Sequence, residues 1–372
     1  MQATRTAVKL LGCTLIVVLG GCAPASPASS PPPVANAQPA PAAAPSAAPA
    51  AAPTAPLTVQ VGGVLSVPGA GVFLGINHGY FAEEGLDISL VPFDSGEQAL
   101  PALATGQIDV AAAGLSAGLF SAVARGLDVK IVAGMSANEP GFSSTALVVR
   151  KDLMASGAVR TLADLRGRQV ALVTETGGLA IDLSRGLESV GLTDADVNRE
   201  ILPFPDEVVA LANGAIDAAM PTEPFVARAV STGVGVRWKG ADELYPHHQL
   251  TVIAYSAGFV RDQPDAAHRF LRAYLRGARD FVDAFKQGRD RAGVISVLAE
   301  YTPIKDLSLY DQMVPSGIGP DGDLYEDGML YDLDWYVARG YLQEKIDLSR
   351  VVDLQYRDAA LQQLGRYSPR SQ

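Results

Sequence analysis

"LATGQIDVAAAG" occupies Leu103–Gly114, and "LANGAIDAAMPT" occupies Leu211–Thr222, 108 positions further along the chain. Leu, Ala, Gly, Ile, Asp and Ala recur at matching offsets. Each copy reads as a helix that ends at a glycine, Gly106 or Gly214, where the left-handed backbone common at helix ends carries no Cβ penalty. A tight turn then feeds a buried strand, Ile108–Ala111 or Ile216–Ala219, with Asp109 or Asp217 at its entry. The segments after the two strands differ: "AGLSAGL" after the first, "MPTEPF" after the second. In open parallel sheets, ligands gather beyond the carboxyl ends of the strands. The frame is repeated and the ligand-facing part has diverged, which predicts two similar lobes that share a cleft.

The surrounding chain fits that plan. "LTVQVGG" (Leu57–Gly63) and "DISLVPF" (Asp87–Phe93) read as strands, with helical stretches such as Ser116–Arg125 between short apolar runs. A second series begins near Thr145 with "TALVVRKD", a short helix from Thr161 to Gly167, and "RQVALVT". Such alternation predicts an α/β fold with a mixed, mostly parallel sheet in each lobe. From Pro264 the chain turns mainly helical, with Phe270, Leu271, Tyr274, Leu275, Ala278, Phe281, Val282 and Phe285 near helical spacing. Pro101 lies in the helix expected after Ser95, so that helix starts late or has an irregular first turn.

The N-terminal stretch has another character. Arg5 and Lys9 precede the apolar run Leu10–Leu19, as in a secretory signal over residues 1–21. Leu19, Gly20, Gly21 and Cys22 match a bacterial lipobox, which predicts cleavage before Cys22, its lipidation, and a protein anchored at the cell membrane on the extracytoplasmic side. Residues 22–56 are the lipidated cysteine and a tether of Ala, Pro and Ser, too poor in apolar bulk to fold. At about 3.1 Å per residue it reaches on the order of 100 Å. Cys13 is the only other cysteine, so the mature chain has no internal disulfide and no cysteine-based metal site. The formal charge of the whole chain is −11, with no basic stripe, which argues against nucleic acid as a partner.

"GYFAEEGLD" (Gly79–Asp87), the run from Gly96 to Ala111, Ala122–Ala133, "LRGRQVA" (Leu165–Ala171) and Gly214–Phe225 together resemble the SsuA/ThiY-like solute-binding proteins of ABC importers, the nitrate, sulfonate and taurine group. The likeness is strong over Leu57–Gly258 and looser beyond. It implies a two-lobed periplasmic-binding-protein fold with two crossovers and a cleft that closes at a hinge. Lobe 1 is placed at 57–146 and 251–372, and lobe 2 at 147–250, with crossovers near Ser143 and Leu250. The resemblance further implies a monomer that binds a small solute and delivers it to a permease and ATPase. A pyrimidine-synthesising fungal enzyme shares this fold, but the cysteine-rich segment on which it depends is absent here. No enzymatic activity and no cofactor are expected.

The candidate ligand groups lie on the strand-end loops. "LSVPGAGVF" offers Ser66 and the ring of Phe73; "AGLSAGL" offers Ser116. "TETGGL" offers Glu175, Thr176 and Gly177, a helix start with free amides. "PTEPF" offers Thr222 and Glu223, whose carboxylate suits ligand N–H groups. Asn138 and Phe142 near the first crossover suit either ligand contact or hinge structure. Glu83 and Glu84 read as a solvated face, His247 and His248 as surface or hinge, His268 as exposed, and no metal site is expected. Lys and Arg are almost missing from these loops, which disfavours sulfonate and nitrate and favours a neutral, flat molecule. The chain resembles the riboflavin-binding members most, so riboflavin ranks first and the thiamine-precursor pyrimidine second.

Overall fold

The protein is described here by a computed structural model covering residues 55–369. The signal, Cys22 and nearly all of the tether lie outside the described residues. Eleven strands form two sheets among the described residues. They are β1 (Leu57–Gly63), β2 (Leu86–Pro92), β3 (Val110–Gly114), β4 (Val129–Ala137), β5 (Ala146–Arg150), β6 (Gln169–Leu172), β7 (Asn198–Ile201), β8 (Ala218–Ala219), β9 (Gly235–Gly240), β10 (Gln249–Ser256) and β11 (Gly317–Ile318). The first sheet has the order β11-β4-β10-β3-β1-β2 and the second β7-β6-β8-β5-β9.

In the first sheet β1 pairs parallel with β2 and β3, while β10 runs antiparallel between β3 and β4. In the second, β6 pairs parallel with β7 and β8, while β5 is antiparallel to β8 and β9. Four strands of each sheet therefore point the same way. The chain crosses between the sheets twice, from β4 to β5 and from β9 to β10.

The repeated sequence has a repeated bonding scheme. Gly106 and Gly214 have φ of +71° and +76°. Beyond them the amides of Gln107 and Ile108 donate to the Ala102 carbonyl, and those of Ala215 and Ile216 to the Ala210 carbonyl. Asp109 Oδ2 then accepts from the Gln60 amide at 2.8 Å, and Asp217 Oδ2 from the Gln169 amide at 3.1 Å. The aspartates recur because each ties its strand to the neighbouring parallel strand.

Helix Gly96–Ala104 starts at once after Ser95, whose Oγ accepts from the Gln98 amide. It keeps Pro101 in its interior. That proline has no N–H to give the Glu97 carbonyl, so the cap holds the helix start against the lost bond.

Helix Pro264–Gln287 forms the backbone of the first core. Phe270, Leu271, Tyr274, Leu275, Ala278, Phe281 and Val282 are all buried on it, as the spacing predicts. It packs against helix Ala70–Asn77 so closely that a Cβ on Gly277 would meet the Gly71 carbonyl oxygen at 2.1 Å. Glu83 is solvated, as expected, while Glu84 is largely covered. Glu84 is bound by Arg272 Nε at 2.9 Å, and Glu83 by Arg276 at 2.6 Å, because the short helix Tyr80–Glu83 lies along the arginine side of the long one. His268 is half-buried beside the Tyr356 ring rather than exposed.

Candidate functional site

A cavity of about 100 Å³ lies between the two sheets. The carboxyl ends of the co-directional strands build it. Val64 and Ser66 follow β1, Asp94 to Glu97 follow β2, Leu115 and Ser116 follow β3, Val173, Thr174 and Gly177 to Leu179 follow β6, and Thr222 follows β8. The antiparallel strands add Thr145 before β5 and Leu250 and Thr251 at the start of β10. Eight hydroxyl side chains line the cavity: Ser66, Ser95, Ser116, Ser136, Thr145, Thr174, Thr222 and Thr251. The ionisable lining residues are Asp94 and Glu97. No lysine, arginine or histidine among the described residues lines it.

The two walls touch. Ser116 and Gly177 form an antiparallel backbone bridge, and the Ala117 amide donates to the Thr176 carbonyl at 3.2 Å. Thr176 Oγ1 also donates to Glu97 Oε1. Ser116 caps helix Ala117–Ala124, its Oγ accepting from the Leu119 amide. Gly177 must be small here: a Cβ would meet Thr174 Oγ1 at 2.5 Å.

Of the residues singled out in the sequence, Ser66, Ser116, Gly177 and Thr222 line the cavity, and Thr176 bonds to its wall. The others stand elsewhere. Phe73 is 2% exposed and stacks on Tyr301 at 5.2 Å, inside the first core. Its helix begins at Ala70, and one turn of helix carries the ring away from the loop. Phe142 lies against Lys286 Nζ, 4.6 Å from the ring centroid, outside the cavity. Glu175 points out to solvent at the tip of its loop.

Glu223 is 1% exposed and does not reach the cavity. Its carboxylate accepts from the amides of Ala227 at 2.9 Å and Val314 at 3.2 Å, and its carbonyl accepts from the Val67 amide. Burial pushes its pKa up to about 7, against the pull of those amides. It ties the loop after β8 to the first sheet's side instead of reading a ligand.

Asn138 belongs to a buried cluster where the two crossovers meet. His248 is fully buried, with Nδ1 at 2.7 Å from Asp182 Oδ1 and Nε2 at 3.1 Å from Asp332 Oδ2. Asn138 Nδ2 donates to the same Asp182 oxygen at 2.9 Å, and Tyr245 stacks on the imidazole at 4.4 Å. Burial alone lowers the imidazole pKa, but the two carboxylates, Asp332 and Asp182, outweigh it and raise it to about 10. Burial raises the Asp182 pKa, and the contacts with His248 and Asn138 offset this in part. His248 is thus an imidazolium at neutral pH.

Sequence reasoning missed Phe204, the one aromatic ring that lines the cavity among the described residues, and Glu97. The repeat carries the signal for both. Helices Gly96–Ala104 and Phe204–Asn213 begin 108 positions apart, as the two copies do, so the loops before them had equal claim to the cleft.

The profile of the NMT1-like family matches residues 52–296. The chain belongs to the NMT1-like family. It is 25% identical over 366 residues to the riboflavin-binding protein RibY of Chloroflexus aurantiacus, covering 92% of this chain and 95% of that one. The fold of this NMT1-like chain is shared with the alkanesulfonate-binding protein SsuA of Xanthomonas axonopodis pv. citri bound to MOPS (20% identity, TM-score 0.65, 81% of this chain and 99% of that one). It is shared equally with the periplasmic nitrate-binding protein NrtA of Synechocystis PCC 6803 (18% identity, TM-score 0.68, 83% and 89%). The architecture is that of the solute-binding components of ABC importers. Among the described residues no helix is long and apolar enough to cross a membrane.

Proposed function

We propose that this protein captures a small, flat, uncharged heterocycle in the cleft and delivers it to a membrane permease driven by a partner ATPase. Riboflavin is the first choice and the thiamine-precursor pyrimidine the second. One observation carries this reading: the cleft wall has eight hydroxyls, two carboxylates and, among the described residues, no cationic side chain. A sulfonate or nitrate taken from water into such a wall faces like charge without a charged partner, whereas a neutral polar molecule finds donors and acceptors at every side. The full-length likeness to RibY supports the first choice.

Residues 57–146 with 251–372 form one lobe and 147–250 the other, and solute contacts made with both favour the closed form. A lipid on Cys22 holds the protein at the extracytoplasmic face of the cell membrane. The site binds its solute without chemical change. Titration of the purified chain with riboflavin, the aminopyrimidine, taurine and nitrate tests this. Riboflavin loses its fluorescence on saturable binding. Saturable binding of taurine or nitrate, with no response to either heterocycle, refutes the proposal.

A further inference from the structure

Glu97 is the carboxylate that joins the cleft's two walls. It stands in the first turn of helix Gly96–Ala104, on the side of the first sheet, and lines the cavity. Its Oε1 accepts the hydroxyl of Thr176, which comes from the loop after β6 in the second sheet. No described residue donates a hydrogen bond to Oε2. The acceptor capacity of an ionised carboxylate is far from used by one hydroxyl. The remainder suits a ligand N–H, and a charge-assisted bond of that kind is about twice as strong as a neutral one.

Asp94, nearby on the same loop, is exposed at the rim, so Glu97 is the charged group placed on the inner wall. Ser95, Ser116, Thr174, Leu179 and Leu250 line the cavity with it, and the buried Tyr336 hydroxyl lies close enough to feel its charge. None supplies a positive charge to quench it.

We infer that Glu97 is the specificity-determining acceptor of the cleft, reading an N–H donor on the edge of a flat heterocycle. This rests on the neutral-heterocycle reading given above. Thr176 orients the carboxylate only when the two walls meet, so recognition of the N–H and closure of the cleft reinforce each other. A heterocycle alkylated at that nitrogen loses the bond and brings a methyl group against a carboxylate oxygen. An anion is repelled.

The full chain, titrated with riboflavin and with riboflavin methylated on its imide nitrogen, tests the inference through loss of flavin fluorescence. The wild type is expected to favour riboflavin by about ten- to a hundredfold, the range for a hydrogen bond to a charged group. Glu97→Ala is expected to bring that ratio close to one. Thr176→Val is expected to weaken both flavins alike and keep the ratio. Thermal melts of each variant establish that it is folded.

A wild type that binds both flavins equally overturns the inference and leaves the proposed function standing. So does a folded Glu97→Ala that binds both more weakly with the ratio unchanged, since Glu97 would then serve closure alone. If the wild type takes the aminopyrimidine and not riboflavin, the same comparison with its N-methylated form decides in the same way. If it takes taurine or nitrate and neither heterocycle, the functional reading falls and the inference with it.

Discussion

Replacing His248 by Ala should destabilise the protein more than any loss of packing at that site explains. The imidazolium lies between Asp182 and Asp332 at 2.7 and 3.1 Å, and all three side chains have no exposed surface. Removing it leaves two carboxylates buried without a counter-charge. Breaking a buried pair in this way costs about 3–5 kcal/mol.

The same variant has a signature in pH. The folded imidazole titrates near 10 against an ordinary 6.5. A raised folded pKa means stability that is fully present below pH 6.5 and is lost as pH rises through 10. One proton changes the unfolding free energy by about 1.4 kcal/mol per pH unit at most, so this histidine alone takes up to about 2.7 kcal/mol from the wild type between pH 7 and 9. Urea unfolding of both proteins at pH 6, 7, 8 and 9 compares the cluster with and without its imidazolium, because groups outside it titrate alike in the two. A His248→Ala loss under about 1 kcal/mol at pH 7, or equal slopes for the two proteins, refutes the reasoning.

Phe73→Ala should lower stability by about 3–5 kcal/mol in a thermal or urea melt while the folded fraction keeps its solute affinity, since the ring is in the core. Phe204→Ala should do the reverse, weakening riboflavin quenching by several-fold, about 0.5–1.5 kcal/mol beyond burial for a stacked ring. Asp109→Ala and Asp217→Ala should each cost about 1–2 kcal/mol in urea unfolding, and Asn at either position should recover part of it, because an acceptor is restored to the Gln60 or Gln169 amide. Glu223→Gln should flatten the wild type's loss of stability as pH rises from 4.5 through 7, seen as converging melting curves at low pH.

The frame of this fold is legible because the backbone dictates it. A glycine at a left-handed helix end and an aspartate that takes its neighbour's amide have few substitutes, so Gly106, Gly214, Asp109 and Asp217 repeat. Hydroxyls on strand-end loops, such as Ser66, Ser116 and Thr222, were legible for the same reason: topology alone aims those loops at the cleft. Side-chain direction within a helix was not. Phe73 and Phe204 both follow a strand-end loop by a few residues, and only the helix phase sends one inward to Tyr301 and the other to the cavity. The His248 cluster draws Asn138, Asp182 and Asp332 from points up to nearly two hundred residues apart, and no local pattern announces such a meeting.

Any rotation that opens the cleft moves each atom in proportion to its distance from the axis. The two crossing segments bring Asn138 and His248 together, so on the proposed closure the charged cluster would sit near the axis and Glu97 and Thr176 farther out along the arm. That placement separates two kinds of cost. On the proposed closure the lips would exchange hydroxyl contacts for water at each stroke, at little cost. On that proposal the ion cluster would stay dry throughout, so its large desolvation penalty would be met once, during folding.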